Sequence, residues 1–489
     1  MVAIGYVVRL LQSGLGNLGA YLAAHVLLCL LPAFFIAGAM AALIPKESVT
    51  RFLGPRAPKY VSFPAAALAG SVLAVCSCTI VPLFAGIYKK GAGLGPAITF
   101  LFFAPAANIL ALAYTGVLIG GDIALARIIL SLVFGIGIGL IMALIFRRTD
   151  ADRDRGPAAG FEGAGRMTPR LWAFMILLAA LLIAGTLKIG LLTGHVAQVN
   201  LPIAGMDRFQ DTLFRLVPFD AAKGEEGISA QGAILIALLA LIGLSAWRGL
   251  GKVDEGFNRW TGVSLGLIVL TLALAATRME PLAAGLQVFI TGRMIAVLLL
   301  LAALTFVTRR YFAAHEVQEW LWETWRFVRQ IFPLLVVGVF AVGVIRQLIR
   351  PEWIFALAGR NTLLGNLAGV LFGVFLYFPT LVEVPIANMF LSLGMHRGPL
   401  VAYLMADPEL SLQSILMISA IIGRARAWTY VALVAVFSTV SGLIYGAWVD
   451  GASLWLLALY LLASLALLAI ALYLVDRRGR RVLTPTEGE

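Results

Sequence analysis

The sequence predicts an all-α protein: a polytopic transmembrane helical bundle with two internal repeats and helices broken at the membrane midplane. Three observations carry this expectation. Hydrophobic residues make up 61% of the 489 and charged ones 13%, with a mean hydropathy of +0.96, far more apolar than a soluble domain of any size. The apolar runs are continuous, as in Leu171 to Leu192 and Leu454 to Leu474, whereas barrel strands alternate over about ten residues. Finally, Gly70, Val81, Pro82, Gly91, Gly95, Pro96, Leu101 and Pro105 recur 303 positions later as Gly373, Val384, Pro385, Gly394, Gly398, Pro399, Leu404 and Pro408. Gly and Pro are common in membrane helices, but chance would scatter such matches over many registers instead of one ungapped offset.

In chain order the apolar runs fall at about 17–44, 60–88, 94–119, 121–146, 171–193, 229–247, 261–277, 284–307, 329–349, 363–391, 398–422, 427–448 and 452–475. These are up to thirteen candidate spans, judged against the roughly 20 residues that cross a bilayer. Residues 147–170 mix Arg, Asp and Gly and read as a solvated loop, and 194–228 carry more acids than bases, which suits the outer face. Arg309 to Gln330 holds Trp320, Trp322 and Trp325 among charges, the composition of a helix lying in the membrane interface. The expected organisation is an N-terminal repeat over 1–147 and a loop, insert helices and interfacial segment over 148–328. A C-terminal repeat over 329–448 and a final helix with a basic tail over 449–489 follow.

The net charge of +12 raises the question of nucleic acid. Lys and Arg cluster at the ends of apolar runs, as at Arg147-Arg148 and Arg477-Arg478, where they face anionic lipid headgroups and set orientation. Lipid is therefore the expected partner and nucleic acid is not. Arg424 and Arg426 suggest a cytoplasmic start for the span 427–448, while Arg147 and Arg148 suggest a cytoplasmic end for its counterpart, 121–146. That makes the repeats inverted, the expectation adopted here, although four spans in the insert would by themselves make them parallel. Met1 to Leu18 is weakly apolar and lacks a small-residue cleavage pattern, so no removable signal peptide is expected.

The repeats differ in chemistry. Cys76 and Cys78, two of only three cysteines, sit inside an apolar segment shortly before Pro82. Residues two apart point to nearly opposite sides of a regular helix, but can share a ligand in an unwound turn. Soft thiolates select Cu(I), Zn(II) or trivalent arsenic over alkali ions or sugars. Cysteine often merely packs, the reading preferred for Cys29, with a third sulfur ligand as its alternative. The second window carries Glu383 between Pro379 and Pro385, and Asp407 and Glu409 around Pro408. Ionisable groups at membrane depth are costly and mark ion or proton paths, and burial disfavours a carboxylate's charged form, which suits proton carriage. Asp407 and Glu409 could instead cap a half-helix near Ser411. Asn108, the counterpart of Ser411, offers an amide to the same central space.

Pro82, Pro105, Pro385 and Pro408 each remove a helix donor and clash with the preceding turn, so kinks or breaks are expected around them. Broken helices survive at membrane depth only beside protein or a water-filled cavity; paired breaks in two repeats point to a central site. Lys89-Lys90 and His396-Arg397 read as interface anchors. His25, His195 and His315 have no metal-ligand spacing. No Gly-x-x-x-x-Gly-Lys-Ser/Thr motif occurs, so a secondary carrier or channel is simpler than an ATP-driven pump.

The run from Val75-Cys-Ser-Cys-Thr-Ile-Val-Pro to Phe-Phe-Ala-Pro105 resembles the cysteine-pair signature of the predicted permease family that includes the organoarsenical efflux permeases. The match is good over about 60–120 and looser over 329–448, roughly half of the chain. The resemblance implies a multi-pass permease of the bacterial cytoplasmic (inner) membrane, not an enzyme and without a cofactor. It would export trivalent arsenicals or a related thiophilic metal or metalloid species, with Cys76 and Cys78 as substrate thiols. Members are also linked to copper, zinc or unknown cargo, and the long central insert sets this chain apart from shorter ones.

The expected mechanism is alternating access, with cargo exchanging onto Cys76 and Cys78 from cytosolic thiols and protonation of Glu383, Asp407 or Glu409 coupling its release. The competing class is a membrane thiol-disulfide oxidoreductase, since a disulfide over a two-residue step is strained and reactive. The second repeat has Pro379 and Leu381 where the cysteines stand. A scaffold subunit of a larger transporter is a weaker alternative, and a homo-oligomer or a small thiol partner protein remains open.

Overall fold

Long runs of Leu, Ala, Ile and Val without charge favour helix, because a helix satisfies every backbone group within its own segment. The computed structural model describes residues 2–54, 57–73, 77–107, 109–147, 168–186, 190–203, 205–217, 227–282, 285–348, 351–375, 380–453, 455–457, 459–460 and 462. The first part comprises α1 (Val2–Tyr21), a π-helical stretch Leu22–Leu30, α2 (Leu31–Leu43), α3 (Lys46–Leu53), α4 (Lys59–Leu73), α5 (Ser77–Lys89), α6 (Leu94–Ala106), α7 (Ile109–Leu118) and α8 (Gly121–Ile145). A central part holds α9 (Pro169–Thr186), α10 (Gly190–Thr193), α11 (Met206–Leu216), α12 (Ala230–Arg248), α13 (Arg259–Ala275) and α14 (Gly292–Tyr311). The last part comprises α15 (Ala314–Leu348), α16 (Pro351–Ala358), α17 (Leu363–Phe375), α18 (Thr380–Ser392), α19 (Arg397–Leu410), α20 (Leu412–Ile422) and α21 (Arg424–Val449).

The all-α bundle stands, with one addition. β1 (His195–Leu201), β2 (Arg278–Leu282) and β3 (Gly285–Thr291) form an antiparallel sheet in the order β1-β3-β2, with Leu201 opposite Leu286 and Arg278 opposite Phe289. Val, Phe, Ile and Thr in β3 suit a strand; the surrounding apolar runs hide so short a signal.

Thirteen apolar runs do not become thirteen crossings. Among the described residues seven helices are long and apolar enough to span a membrane, or eight if α19 and α20, bent by 46°, count as one. The runs at 17–44, 60–88, 261–277 and 363–391 yield only shorter helices among the described residues, and most of 452–475 lies outside them. Pro105 and Pro408 lie in the last turns of α6 and α19, beside the ends of those helices and, at Pro408, just before the 46° bend, whereas Pro82 and Pro385 lie inside α5 and α18. In a last turn a proline still removes a donor and crowds the preceding turn, which suits a helix end there.

The segment around Trp320 also departs from expectation. It is the first half of the 35-residue helix α15, which runs straight into the apolar half. Trp320 and Trp325 are buried, and the Trp320 Nε1 donates to the Phe35 carbonyl at 2.8 Å. Farther along α15, Val339 accepts from Asn17 Nδ2 at 2.8 Å and Gly343 from Ser13 Oγ at 2.9 Å. Thus α15 runs antiparallel to α1 and α2.

Matching elements are separated by the offset found in the sequence. The starts of α5, α6, α7 and α8 lie 303 residues before those of α18, α19, α20 and α21. Gly91 (φ 97°) and Gly394 (φ 89°) both adopt a left-handed turn that a side chain would strain. Gly95 and Gly139 meet where α6 crosses α8, and Gly398 and Gly442 where α19 crosses α21; in each crossing a Cβ would fall within 3 Å of the opposite carbonyl. Small residues allow this backbone approach.

The two long matching helices, α8 and α21, run antiparallel. Asp122 near the start of α8 bonds Tyr445 near the end of α21, Phe134 and Phe437 meet midway with ring centroids 4.8 Å apart, and Phe146 stacks under Arg426 at the other end. Phe134 and Phe437 are themselves 303 apart. In the same sense α18 packs on α7 and α5 on α20, an exchange of half-helices between the two parts.

Candidate functional site

The deepest charges in the bundle meet where the two parts touch. Arg127, in the second turn of α8, is 1% exposed and its Nη2 lies 2.9 Å from Oε1 of the fully buried Glu383. Arg127 Nε donates to the Ala106 carbonyl at 3.0 Å. Ala106 ends α6 and Glu383 lies in the first turn of α18. A helix C-terminus favours a cation and an N-terminus an anion, so both half-helix ends reinforce the pair. Charge at this depth is otherwise costly.

A second contact repeats this arrangement with other chemistry. Tyr430 and Glu409 stand 303 residues after Arg127 and Ala106, and the buried Tyr430 hydroxyl donates to Glu409 Oε2 at 2.6 Å. In one part a guanidinium reaches a backbone carbonyl; in the other a phenol reaches a carboxyl. Glu409 lies within electrostatic range of both Arg127 and Glu383. Asp407 is buried on the same helix, its backbone pressed against Gly373 of α17. Ser411, Gln413 and Ser414 are buried around the α19–α20 break. Ser411 Oγ accepts from the Ser414 N–H and caps α20, so neither Asp407 nor Glu409 is needed as a cap.

On the thiol side the described residues stop short of the pair. Cys76 and Asn108 lie outside them, and only the backbone of Cys78, in the first turn of α5, is described. Cys29, on the π-helical stretch, is buried with its Sγ 2.6 Å from Thr79 Oγ1, adjacent in sequence to Cys78. Among the described residues no cluster of three His, Cys, Asp or Glu could hold a metal.

The presumed interface anchors have protein partners. Arg397 pairs with Asp122 at 2.8 Å, and Tyr445 donates to the same carboxylate at 2.8 Å. His396 Nε2 lies 3.0 Å from Asp450, and Lys89 pairs with Glu323. Sequence reasoning missed Arg127 and Tyr430. The signal for Arg127 was present: a lone arginine inside the apolar run 121–146, which by the argument applied to Glu383 should have been sought a partner.

The model of the family described as "Predicted permease" matches residues 13–447, nearly the whole described bundle. The chain belongs to this predicted permease family. It is 32% identical to UPF0718 protein MJ0584 of Methanocaldococcus jannaschii over 447 residues, covering 91% of this chain and 98% of the relative. It is also 28% identical to UPF0718 protein YraQ of Escherichia coli over 127 residues, 25% of this chain and 35% of that one. No solved structure matches. As a predicted permease with seven or eight long apolar helices, the chain is a multi-pass membrane protein of transporter type. The match to MJ0584 spans the central part as well, so the insert is common to this permease and that archaeal relative.

Proposed function

We propose that this permease exports trivalent arsenicals, or another thiophilic metal or metalloid species, by proton-coupled alternating access between two inverted copies of one helical unit. The observation that carries the reading is the buried Arg127–Glu383 pair, which joins the two parts at the ends of broken helices. Uncompensated charges at this depth are costly, and those retained mark transport paths. Antiparallel contact of α8 with α21 supports the inverted relation, and rocking of one inverted copy against the other is how such folds alternate access. Two copies, residues 1–147 and 329–448, would be joined by the insert and followed by a final helix. The cytoplasmic membrane is the expected location.

Support for the cargo comes from the Cys76–Cys78 spacing and the resemblance of its surroundings to organoarsenical permeases. Cys78 lies in the first turn of α5, where a thiolate is favoured, and Glu383 in the first turn of its match α18. Cys29, whose Sγ contacts Thr79 Oγ1, would be the third sulfur.

The test is uptake of methylarsenite into everted vesicles by the native chain, Cys76→Ser and Cys78→Ser at equal expression. Uptake by the native chain that both variants lose supports thiol-mediated export. No native uptake removes the arsenical cargo, and normal uptake by the serine variants removes the thiol site.

A further inference from the structure

The charges buried in the bundle do not balance. Among the described residues Arg127 is a cation with almost no exposure, and two buried carboxyls, Glu383 and Glu409, compete for it. Both ionised, they would leave one negative charge in excess in a medium that penalises it heavily. Geometry separates the two carboxyls. Glu383 has the guanidinium at 2.9 Å. Glu409 has the neutral Tyr430 hydroxyl on Oε2.

We infer that Glu409 is the proton-carrying group of this permease, protonated in the present conformation while Arg127 holds Glu383 ionised, and that Arg127 is the counter-ion for which the two glutamates compete. The inference deepens the proton-coupled reading above and rests on it for its consequence in transport. Tyr430 donates to the carbonyl oxygen of the neutral acid, the role its hydroxyl plays at 2.6 Å. The elements packed on α19 carry Asp122 and Arg127 on α8, Glu383 on α18 and Arg424, Arg426, Tyr430 and Tyr445 on α21, with none on α17, α6 or α20; of these Arg127, Glu383 and Tyr430 act on Glu409. Arg397, Tyr403 and Asp407 stand on α19 itself, the backbone of Asp407 packing against Gly373 of α17.

The step is a simple proton transfer. When the site opens, the Glu409 O–H bond breaks, its proton passes to water and the carboxylate keeps the electron pair. That carboxylate then draws Arg127, which already lies in electrostatic range, away from Glu383 of α18. Protonation of Glu409 thereby decides whether the pair joining the two parts is closed.

Infrared difference spectroscopy on the purified full chain reads this without any cargo. At neutral pH the native protein should show the carbonyl stretch of a buried protonated carboxyl, absent in Glu409→Gln and diminished in Glu383→Gln, where Arg127 is released to Glu409. Tyr430→Phe should shift the band, since the carbonyl loses its donor, an effect that a packing role alone would not produce. Arg127→Met should add a second band as Glu383 takes up a proton, and Arg127→Met with Glu383→Gln should restore the native pattern even where the single variant folds poorly. A band untouched by Glu409→Gln, or undiminished in Glu383→Gln, overturns the assignment. Failure of methylarsenite uptake with these bands intact would remove the cargo and leave the proton site standing.

Discussion

Separating Arg127 from Glu383 should be among the costliest changes in this protein, and the cost should be unequal between the partners. At 2.9 Å and an effective dielectric of about 20, their attraction is about 6 kcal/mol before desolvation. Desolvation removes much of that, so the pair adds little net stability; breaking a buried pair nonetheless costs about 3–5 kcal/mol, because one charge stays behind. Glu383→Gln strands a guanidinium that cannot lose its proton, and should sit at the upper end. Arg127→Met leaves a carboxyl that can neutralise itself by protonation, offset by loss of the Nε bond to Ala106, about 1.5–3 kcal/mol for a charged donor.

The double variant Arg127→Met with Glu383→Gln has no stranded charge and should fall closer to the native protein than Glu383→Gln alone. Unfolding of the purified chain in mixed micelles by SDS titration gives the three differences and the coupling, expected at about 2–3 kcal/mol. Additivity within about 0.5 kcal/mol, or Arg127→Met costing more than Glu383→Gln, would refute the argument that the two charges sustain each other.

Tyr430→Phe leaves Glu409 Oε2 without its donor and should cost about 1–3 kcal/mol in the same assay; a change below about 0.5 kcal/mol would mean the bond is unimportant. Gly442→Leu forces a side chain into the α19 backbone and Asn366 and should destabilise by about 1–3 kcal/mol or more, visible as loss of monodisperse protein on size-exclusion chromatography. Asp122→Asn removes the partner of Arg397 and Tyr445 at one end of the bundle. Both charges are about a third exposed, so stability should move by only about 0–1 kcal/mol, while a cysteine placed at position 123, buried beside Asp122, should become more reactive to an impermeant maleimide on that face. Unchanged labelling would argue against a gate there.

What could be read in advance follows from which signals are local. Apolar runs and the 303-residue spacing are properties of the chain alone, and they located the half-helices to within a residue or two. Pro105 and Pro408 marked helix ends, whereas Pro82 and Pro385 lie inside α5 and α18, because whether a proline interrupts a helix depends on what receives the freed groups. The burial of Trp320 and Trp325 depends on α2, some 285 residues away, and composition alone reads them as interfacial. Arg127 is the instructive omission. Attention went to carboxylates in the second window, although a buried acid requires a cation or a proton, and a lone arginine in the matching run was available to supply it.

The same reasoning explains why the two parts keep a common geometry and unlike side chains. The positions 127 and 106 touch, and so do 430 and 409, so each part offers its neighbour the same shape. An alternating carrier needs two packings of similar energy, which equivalent shapes and matched glycine crossings at 95 with 139 and 398 with 442 allow. Equivalent chemistry would add nothing to tip that balance. In the proposed carrier, arginine at 127 facing a carboxylate across the two parts, and tyrosine at 430 facing a carboxyl within one, would make the balance depend on one proton. A ligand shifts an equilibrium only by its difference in affinity for the two states, and the unlike partners at positions of like shape are where that difference arises.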